Sequence, residues 1–298
     1  MIISCGEALV DLVPQPVPGG GPMNVAVAAA RLGAKAAFVG RVSEDPHGDL
    51  IWRHLVDNDV ELCAAQRGPE PTARAIVDET DGLSFRFEGD GTADTQLRRA
   101  DLDCLGPEPH IVHGGTLGLF RGPTAETLAR LVEGRHGIVS LDPNVRPQMI
   151  PDRAEWDHFH DRWLAHTHLY KASAEDLAWV WPGRSIESIA GELLDGPAGA
   201  VAVTLGGDGA ALFTPAGETR IAGRDVVVAD TVGAGDTFVA SLLVSLSVRG
   251  CATPIELAAL TVADWSEMGH AAVAAAAITC TRQGADPPRA AELSAGLD

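Results

Sequence analysis

Residues 230–238 read DTVGAGDTF, which is the most informative stretch of the chain. The β-branched run at 226–228 precedes it and a largely apolar run at 239–244 follows it, so the pattern predicts a strand, a glycine turn and a helix. Amides at the start of a helix lack intrahelical acceptors and lie at the positive end of its dipole. Because Gly233 and Gly235 carry no Cβ, an anion can approach those amides. The stretch therefore predicts an anion-binding turn that suits a phosphate group.

Asp236 falls in the first turn of this predicted helix. The helix dipole favours the ionised carboxylate, which can accept a proton from an attacking hydroxyl. An anion site beside a base is the minimum equipment for moving a phosphoryl group to an alcohol. One alternative is a structural glycine turn capped by an acid. A dinucleotide-binding turn fits poorly, because Phe238 replaces the third glycine of GxGxxG and Arg249 lies where the ribose-binding acid is expected.

Composition predicts one large α/β core and argues against several functions. The 298 residues are 46% hydrophobic and include 33 glycines, enough for a sizeable core with many turns. A net charge of −19 argues against nonspecific binding to nucleic acid or to an anionic membrane. The chain has lysine only at Lys35 and Lys171, and glycine precedes neither, so a Walker A loop is absent.

Cysteine and histidine placement indicates no metal centre. The five cysteines are scattered without CxxC spacing, as is typical of thiols in a reducing compartment. His158 and His160 are two positions apart in a predicted helix and so point to different faces, and we expect both on a solvated face. The first residues lack the pattern of a signal peptide, and no run of about 20 apolar residues occurs. We therefore expect a cytoplasmic location.

Two N-terminal segments carry further candidate residues. Asp11 lies inside an apolar strand pattern at 8–13, where a carboxylate is either solvated at the strand edge or faces a polar ligand. Residues 18–33, PGGGPMNVAVAAARLG, predict a glycine loop that leads into a helix. Asn24 in this run offers both a donor and an acceptor to a hydroxyl, although a simple helix entry also explains the loop.

These motifs together resemble the ribokinase/PfkB family of carbohydrate kinases, particularly its fructokinase-like branch. DTVGAGDTF resembles the C-terminal signature of the family, GGGPMNVA at 19–26 its GGxPxNVA pattern, and DPNVRP at 142–147 a run found in fructokinases and 2-keto-3-deoxygluconate kinases. The resemblance spans nearly the whole chain. It implies a single kinase domain over residues 1–298, built as a three-layer α/β/α ribokinase-like sandwich. A small β-sheet lid is expected from about residues 8–18 and 72–99.

The resemblance implies a reaction in which ATP, with Mg²⁺, phosphorylates a sugar. Asp236 would be the base, and the amides of Gly233, Ala234 and Gly235 would form the anion hole. The residues expected at the sugar are Asp11, Gly20, Asn24, Phe87 of the lid and Arg146. Each has a plainer alternative, since Phe87 suits ordinary sheet packing and Arg146 suits a surface turn. In the lid, residues 79–82 are expected to join two alternating strands.

For the nucleotide, the resemblance points to two segments. Residues 203–209 resemble a VTLGxxG loop, with Thr204, Gly206, Gly207 and Gly209 as candidate contacts, although a simple hairpin is the alternative. Residues 271–285 resemble an AAxxCTRxGA segment beside adenine, with Ala271 and Ala274 as candidates, although close helix packing selects the same small residues. We expect residues 253–283 to form two helices broken near Gly269.

Metal binding is the least determined part of the resemblance. The family uses NxxE to organise Mg²⁺ through water, but here Ser173 stands for Asn and Asp176 for Glu. Either Glu175 or Asp176 is then the metal residue, and helix capping explains the segment as well. Asp230 and the carbonyl of Val232 are candidate ligands for a monovalent cation such as K⁺.

Among sugars, fructose is the first choice, with fructose 6-phosphate as product. A 2-keto-3-deoxygluconate kinase is the second, because Gly89 or Asp90 stands where such enzymes carry an arginine for the acid. Ribose and nucleosides follow, since the loop at 19–26 departs from the GGKGAN pattern of ribokinases. A sugar or nucleotide sensor on the same fold is the non-enzymatic alternative. The expected partners are the sugar, ATP and, through the lid, a second copy of the chain.

Overall fold

An eight-stranded sheet forms the centre of the molecule, and its strands and helices alternate along most of the chain. The structure is a computed structural model that describes residues 1–13, 15–78, 84–99 and 103–295. The strands are β1 Ile2–Cys5, β2 Leu9–Val13, β3 Gln15–Gly19, β4 Ala36–Val39, β5 Arg41–Ser43, β6 Gln66–Gly68, β7 Arg74–Asp78, β8 Ser84–Glu88, β9 Ile111–Gly115, β10 Val139–Asp142, β11 Leu169–Ser173, β12 Ala200–Thr204, β13 Gly209–Thr214 and β14 Gly217–Ala222. The α-helices are α1 Gly21–Arg31, α2 Pro46–Asp57, α3 Gly122–Glu133, α4 Arg153–Leu164, α5 Ala174–Val180, α6 Ile186–Leu194, α7 Ala234–Val248, α8 Pro254–Ala258, α9 Val262–Cys280 and α10 Ala290–Ala295.

The central sheet has the order β14-β13-β12-β11-β10-β9-β1-β4. The six strands from β12 to β4 pair in parallel, and β13 and β14 add an antiparallel edge. Parallel strands need helices on both faces, which explains why these strands are almost entirely buried. Their carboxyl ends all lie along one edge of the sheet, which is where open α/β sheets bind ligands.

Helices cover both faces of this sheet and bury separate apolar clusters. Ile2 and Ile3 are adjacent in β1, and because strand side chains alternate, they belong to different clusters. The Ile3 cluster takes side chains from α3, α4, α5 and α6, including Trp156, and the Ile2 cluster takes them from α1, α7 and α9, including Phe238. The predicted three-layer α/β/α sandwich is therefore confirmed.

A second sheet with the order β3-β2-β7-β8 stands beside the first. It is built from the two segments in which the lid is predicted, and it carries Asp11 on β2, paired with Val17 of β3. The predicted connection at residues 79–82 lies outside the described residues. The limits of the lid, and its closing over a ligand, stay predictions.

Three sequence predictions about local structure are wrong. The run 226–228 forms no strand, because β14 is already the edge of the sheet and Val227 is 90% exposed, with no strand of the described residues beside it. The break predicted near Gly269 falls instead at residues 259–261, between the short helix α8 and the long helix α9, and Gly269 is buried inside α9. His160 is buried, with Nε2 3.1 Å from the hydroxyl of Tyr170 and its ring stacked on Trp156, so it lies on no solvated face.

Within the ranges that the structure describes, no helix combines the length and the apolar character needed to cross a membrane.

Candidate active site

A cavity of about 570 Å³ lies at the carboxyl edge of the central sheet, where residues of the small sheet also reach. Both sheets contribute to its wall, since Leu9 and Ala75 come from the small sheet and Asn144 follows β10. The cavity brings together candidates that are far apart in the chain. The predicted residues that line it are Asp11, Gly20, Asn24, Arg146, Asp230, Val232, Gly233, Gly235 and Asp236.

The glycine turn enters α7 in the way that an anion site requires. Gly233 is the N-cap of the helix with φ of 76°, a left-handed conformation that glycine adopts without strain. A Cβ built there would lie 2.6 Å from the Cβ of Ala285, so no larger residue fits. The amide of Ala234 donates to the carbonyl of Thr231 over 3.3 Å, whereas no acceptor for the amides of Gly233 and Gly235 occurs among the described residues. Two of the three predicted anion-hole amides are therefore available to a ligand.

Asp230 ties this turn to the C-terminal segment of the cavity wall. One carboxylate oxygen accepts the amide of Val232 over 3.1 Å and the other accepts the amide of Gly284 over 2.9 Å. The side chain of Val232 is 47% exposed. With both oxygens of Asp230 already engaged, its part in binding a monovalent cation stays a prediction.

Asp236 occupies the first turn of α7 and is 9% exposed. Asn24 donates from Nδ2 to its Oδ2 over 2.8 Å, which joins the base to the N-terminal glycine loop. Burial raises the pKa of Asp236 above its usual value, and the Asn24 hydrogen bond and the charges of Lys171 and Arg146 act to lower it. The helix-dipole reasoning foresaw only a lowering influence, because sequence does not show how deeply a side chain is buried.

The N-terminal candidates surround the same space. The amide of Asn24 donates to the carbonyl of Gly20 over 2.9 Å, which closes the first turn of α1 at the cavity. Burial, and then the charge of Asp230, raise the pKa of Asp11 to about 6. No hydrogen bond to the Asp11 carboxylate occurs within the described part of the chain, so its oxygens are free to accept from a sugar hydroxyl.

Glu7 is a residue of the cavity wall that was not among the candidates from the sequence. It is 1% exposed, and its two oxygens accept the amides of Gly21 and Gly118 over 3.2 and 2.9 Å. Burial raises its pKa to about 7, although hydrogen bonds from the amides of Glu7 itself and Gly118 act to lower it. The sequence signal for Glu7 was an acidic residue two positions after the end of the apolar strand β1.

Thr116 and Asn144 were also missed as wall residues. Both have positive φ, 51° and 38°, and Asn144 donates from Nδ2 to Oγ1 of Thr116 over 3.2 Å. A Cβ on Gly21 would lie 2.6 Å from that Oγ1 and 3.5 Å from Oδ1 of Asp236, so the glycine loop lies directly against this pair. Left-handed backbone at a β-branched residue is costly and is found mainly at functional sites.

Arg146 and Phe87 have different surroundings. Arg146 lines the cavity, is exposed, and donates from Nη1 to the carbonyls of Asn144 and Val145. Phe87 is not among the residues that line the cavity. Its ring lies 4.9 Å from the guanidinium carbon of Arg121 and packs against the core, so the structure favours the packing interpretation for this side chain.

The predicted nucleotide residues do not line the described cavity. Gly206, Gly207 and Gly209 connect β12 to β13, so the hairpin alternative describes their backbone. A Cβ built on Gly209 would lie 2.0 Å from the carbonyl oxygen of Ile221. A Cβ built on Gly206 or Gly207 would have open space around it, with no neighbouring side chain or backbone of the described residues within 4 Å. Thr204 ends β12, Ala271 is half-buried and Ala274 is buried within α9. Contact between these residues and a nucleotide stays a prediction.

The two candidate magnesium residues differ in their freedom. Asp176 accepts hydrogen bonds from the amide of Val145 and from the amide and hydroxyl of Ser173, in a complete capping box. Its oxygens are therefore committed to the protein, while Glu175 is exposed. Within the described residues no group of three acidic, histidine or cysteine side chains stands ready to hold a metal ion. These residues suit indirect contact with Mg²⁺ through Glu175 and do not form a closed metal centre.

The sandwich fold, and a cavity in which free amides at a helix start lie beside a buried carboxylate, have the arrangement expected of a kinase that acts on small hydroxylated molecules. The chain belongs to the pfkB family of carbohydrate kinases, since the pfkB family carbohydrate kinase model matches residues 14–291.

Individual relatives agree with this family. The chain is 33% identical to a fructokinase of Rhizobium leguminosarum bv. trifolii over 273 residues, which are 87% of this chain and 84% of the relative. It is 31% identical to an aminoimidazole riboside kinase of Salmonella typhimurium over 258 residues, 83% of this chain and 81% of the relative.

Solved structures give the same result for the fold. A fructokinase of Xylella fastidiosa with bound ATP superposes with a TM-score of 0.91 at 25% identity, over 99% of this chain and 97% of that one. A double mutant of the fructokinase of Vibrio cholerae O395, with bound fructose, ADP and potassium ion, superposes with a TM-score of 0.86 at 30% identity, over 100% of this chain and 98% of that one.

Proposed function

We propose that this protein is an ATP-dependent fructokinase, which transfers the γ-phosphoryl group of ATP to the 6-hydroxyl of D-fructose. The observation that carries the proposal is the meeting of Asn24 and Asp236 in one cavity with the free amides of the glycine turn. The similar fructokinase of Vibrio cholerae binds fructose, ADP and potassium ion, and that of Xylella fastidiosa binds ATP. A cytoplasmic location and a homodimer formed through the lid stay predictions.

In this mechanism Asp236 accepts the proton of the sugar hydroxyl as that oxygen attacks phosphorus. The Asn24 hydrogen bond fixes which oxygen of the carboxylate is free, because it occupies Oδ2. Asp11 accepts hydrogen bonds from other sugar hydroxyls, since its carboxylate lines the cavity. The amides of Gly233 and Gly235 stabilise the charge that develops on the transferred group.

ATP brings Mg²⁺, which neutralises charge on the phosphates when bound. Glu175 would hold that ion through water, because Asp176 is committed to the capping box. The candidate nucleotide residues from Thr204 to Gly209 are expected to bind ATP at the carboxyl edge of the sheet, where β12 ends. Closure of the small sheet would exclude water that competes with the sugar as acceptor.

A second candidate substrate is 2-keto-3-deoxygluconate, and one observation favours it. Arg146 is an exposed cation in the cavity wall, and a guanidinium binds a carboxylate in a fork. At the lid position where such kinases carry an arginine, this chain has Gly89 or Asp90, and the nearby Arg86 pairs with Glu88. Arg121 donates to the carbonyl of Gly89, but its guanidinium forms an ion pair with the buried Asp94, which neutralises its charge. A neutral sugar is therefore favoured.

The test is a coupled assay of ADP release with fructose, 2-keto-3-deoxygluconate, ribose and aminoimidazole riboside, with and without Mg²⁺. We expect the highest kcat/KM for fructose, dependence on Mg²⁺, and fructose 6-phosphate as the product by ³¹P NMR. A higher kcat/KM for another acceptor overturns the fructose assignment. If no acceptor causes ADP release, the enzymatic proposal is overturned and a sensor is favoured.

A further inference from the structure

A buried lysine lies directly behind the glycine turn and has no part in the mechanism above. The side chain of Lys171, on β11, is 4% exposed, whereas the other lysine, Lys35, is 66% exposed and pairs with Glu61 at the surface. A Cβ built on Gly235 would lie 2.9 Å from Nζ of Lys171. The ammonium therefore lies close to Gly235, although Lys171 is not among the residues that line the cavity.

Three buried carboxylates share this one ammonium. Lys171 donates from Nζ to Oδ2 of Asp142 over 2.6 Å, and the charges of Asp176 and Asp236 also act on it. These acids are 3%, 7% and 9% exposed. Buried carboxylates are costly unless a cation or hydrogen bonds compensate them, so Lys171 lies where the largest compensation is needed.

The ammonium stays charged in this setting. Burial acts to lower the pKa of Lys171, but the Asp142 carboxylate together with the charges of Asp176 and Asp236 more than offsets it, and the pKa lies above its usual value. The other oxygen of Asp142, Oδ1, accepts a hydrogen bond from the amide of Asn144 over 3.1 Å, which holds the carboxylate in place. Lys171 is thus a fixed positive charge on a rigid strand.

Asp236 interacts electrostatically with two cations and two acids among the described residues. Lys171 and Arg146 act on it as cations, and Glu7 and Asp142 are the acids that interact with it. Arg146 is exposed, so solvent and salt screen it more than the buried ammonium. Lys171 is therefore the cation whose effect on Asp236 is least screened.

We propose that Lys171 is a positioning residue for phosphoryl transfer: its ammonium, held by Asp142 behind Gly235, keeps the Asp236 carboxylate charged and adds positive potential to the anion-binding turn. The inference deepens the proposed function and rests on it. A purely structural ion pair between β10 and β11 is the alternative. That alternative predicts a loss of stability without a change in the titration of Asp236.

The experiment compares Lys171→Met, the double variant Lys171→Met/Asp142→Asn, and Lys35→Met as the surface control. The double variant removes the hydrogen-bonded pair as a unit, so the Asp142 carboxylate is not left buried without its cation if the single variant fails to fold. We expect kcat with fructose to fall about 10- to 100-fold in both Lys171 variants, the range for residues that act through a reacting group, with KM for fructose changed less than about threefold. The acidic limb of the kcat profile should move to higher pH.

Normal kcat and an unmoved pH profile in the folded double variant overturn the proposal. So does an equal fall in kcat for Lys35→Met. A loss of stability with wild-type kcat supports the structural alternative and overturns the proposal as well.

A second measurement separates this inference from the choice of sugar. Chemical unfolding of wild type, Lys171→Met, Asp236→Asn and the corresponding double variant forms a thermodynamic cycle. If the ammonium holds Asp236 charged, Lys171→Met should destabilise the Asp236→Asn background less than the wild type. Additive effects overturn the inference. If the two substitutions are coupled but the protein does not phosphorylate fructose, the coupling supports the inference. The missing fructose activity then overturns only the proposed function.

Discussion

Asn24 donates a hydrogen bond to Asp236 over 2.8 Å, although 212 positions separate the two residues in the chain. Each lies in the first turn of its helix, α1 or α7, and each is 9% exposed. The two helix starts meet at the cavity, so the glycine loop proposed to hold the sugar and the turn proposed to hold the phosphoryl group have a fixed relative position. Such preorganisation is what in-line transfer between two ligands requires.

Asp236→Asn removes the proposed base with little change in shape. We expect kcat to fall about 100- to 10,000-fold, the usual contribution of a general base, with little change in fructose affinity measured by calorimetry. Asp195→Asn, at the exposed C-cap of α6, is the matched control and should leave both quantities unchanged. Turnover close to wild type in Asp236→Asn would contradict the assignment.

Gly233→Ala tests the turn against a glycine with the same backbone. Gly233 and Gly250 have φ of 76° and 75°, so alanine at either should cost about 1–2 kcal/mol of unfolding free energy. Only at Gly233 does the added Cβ meet a neighbour, Ala285, so this variant should lose more stability, measured by chemical unfolding. It should also lose kcat, whereas Gly250→Ala should retain it. Equal losses of kcat in both variants would show that the turn has no special role.

Asp11→Asn should change stability with pH in the direction opposite to Asp45→Asn. Burial raises the pKa of Asp11 to about 6, so its stabilising contribution is full below about pH 4, the usual value for aspartate, and is lost as the pH rises through 6. Asp11→Asn should therefore gain stability relative to wild type between pH 4 and 7. Burial acts to raise the pKa of Asp45, but hydrogen bonds from Thr72 and Gly48 lower it to about 2, so its contribution is present above about pH 4 and is lost toward pH 2.

Chemical unfolding across this pH range measures both variants. Asp45→Asn should be less stable than wild type at pH 7 and approach it toward pH 2. Asp11→Asn should also weaken fructose binding about 10-fold or more, because a charged acceptor is lost, while Asp45→Asn should not. Fructose binding that is unaltered in Asp11→Asn would remove this residue from the sugar site.

Glu175→Gln and Asp176→Asn separate metal binding from helix capping. Glu175 is exposed, so its loss should raise the Mg²⁺ concentration needed for half-maximal activity and leave stability unchanged. Asp176 completes the capping box with Ser173, so Asp176→Asn should cost about 1 kcal/mol of unfolding free energy. Titration of activity with Mg²⁺ and chemical unfolding check the two results. The reverse pattern would assign the metal to Asp176.

Local sequence was sufficient where chemistry and backbone are encoded in adjacent residues. The start of α7, with Gly233 as N-cap and Asp236 in the first turn, follows from the glycine spacing alone. The same local reasoning was wrong for residues 226–228, because β-branched residues favour a strand only where a neighbouring strand is available to pair. It also left Glu7 and Lys171 without a role, since neither belongs to a motif and both form hydrogen bonds with residues that are distant in the chain.

The amino-acid pattern by itself determined the α/β class and the polar and glycine residues that follow its strands, because periodicity and turn chemistry act over a few residues. Tertiary structure alone decided that Asn24 contacts Asp236, that Asp11 and Asp236 have raised pKa values, and that one ammonium lies behind Gly235. The reason is physical. Burial and Coulomb interactions depend on distances between side chains, which are set only when all the strands and helices have packed.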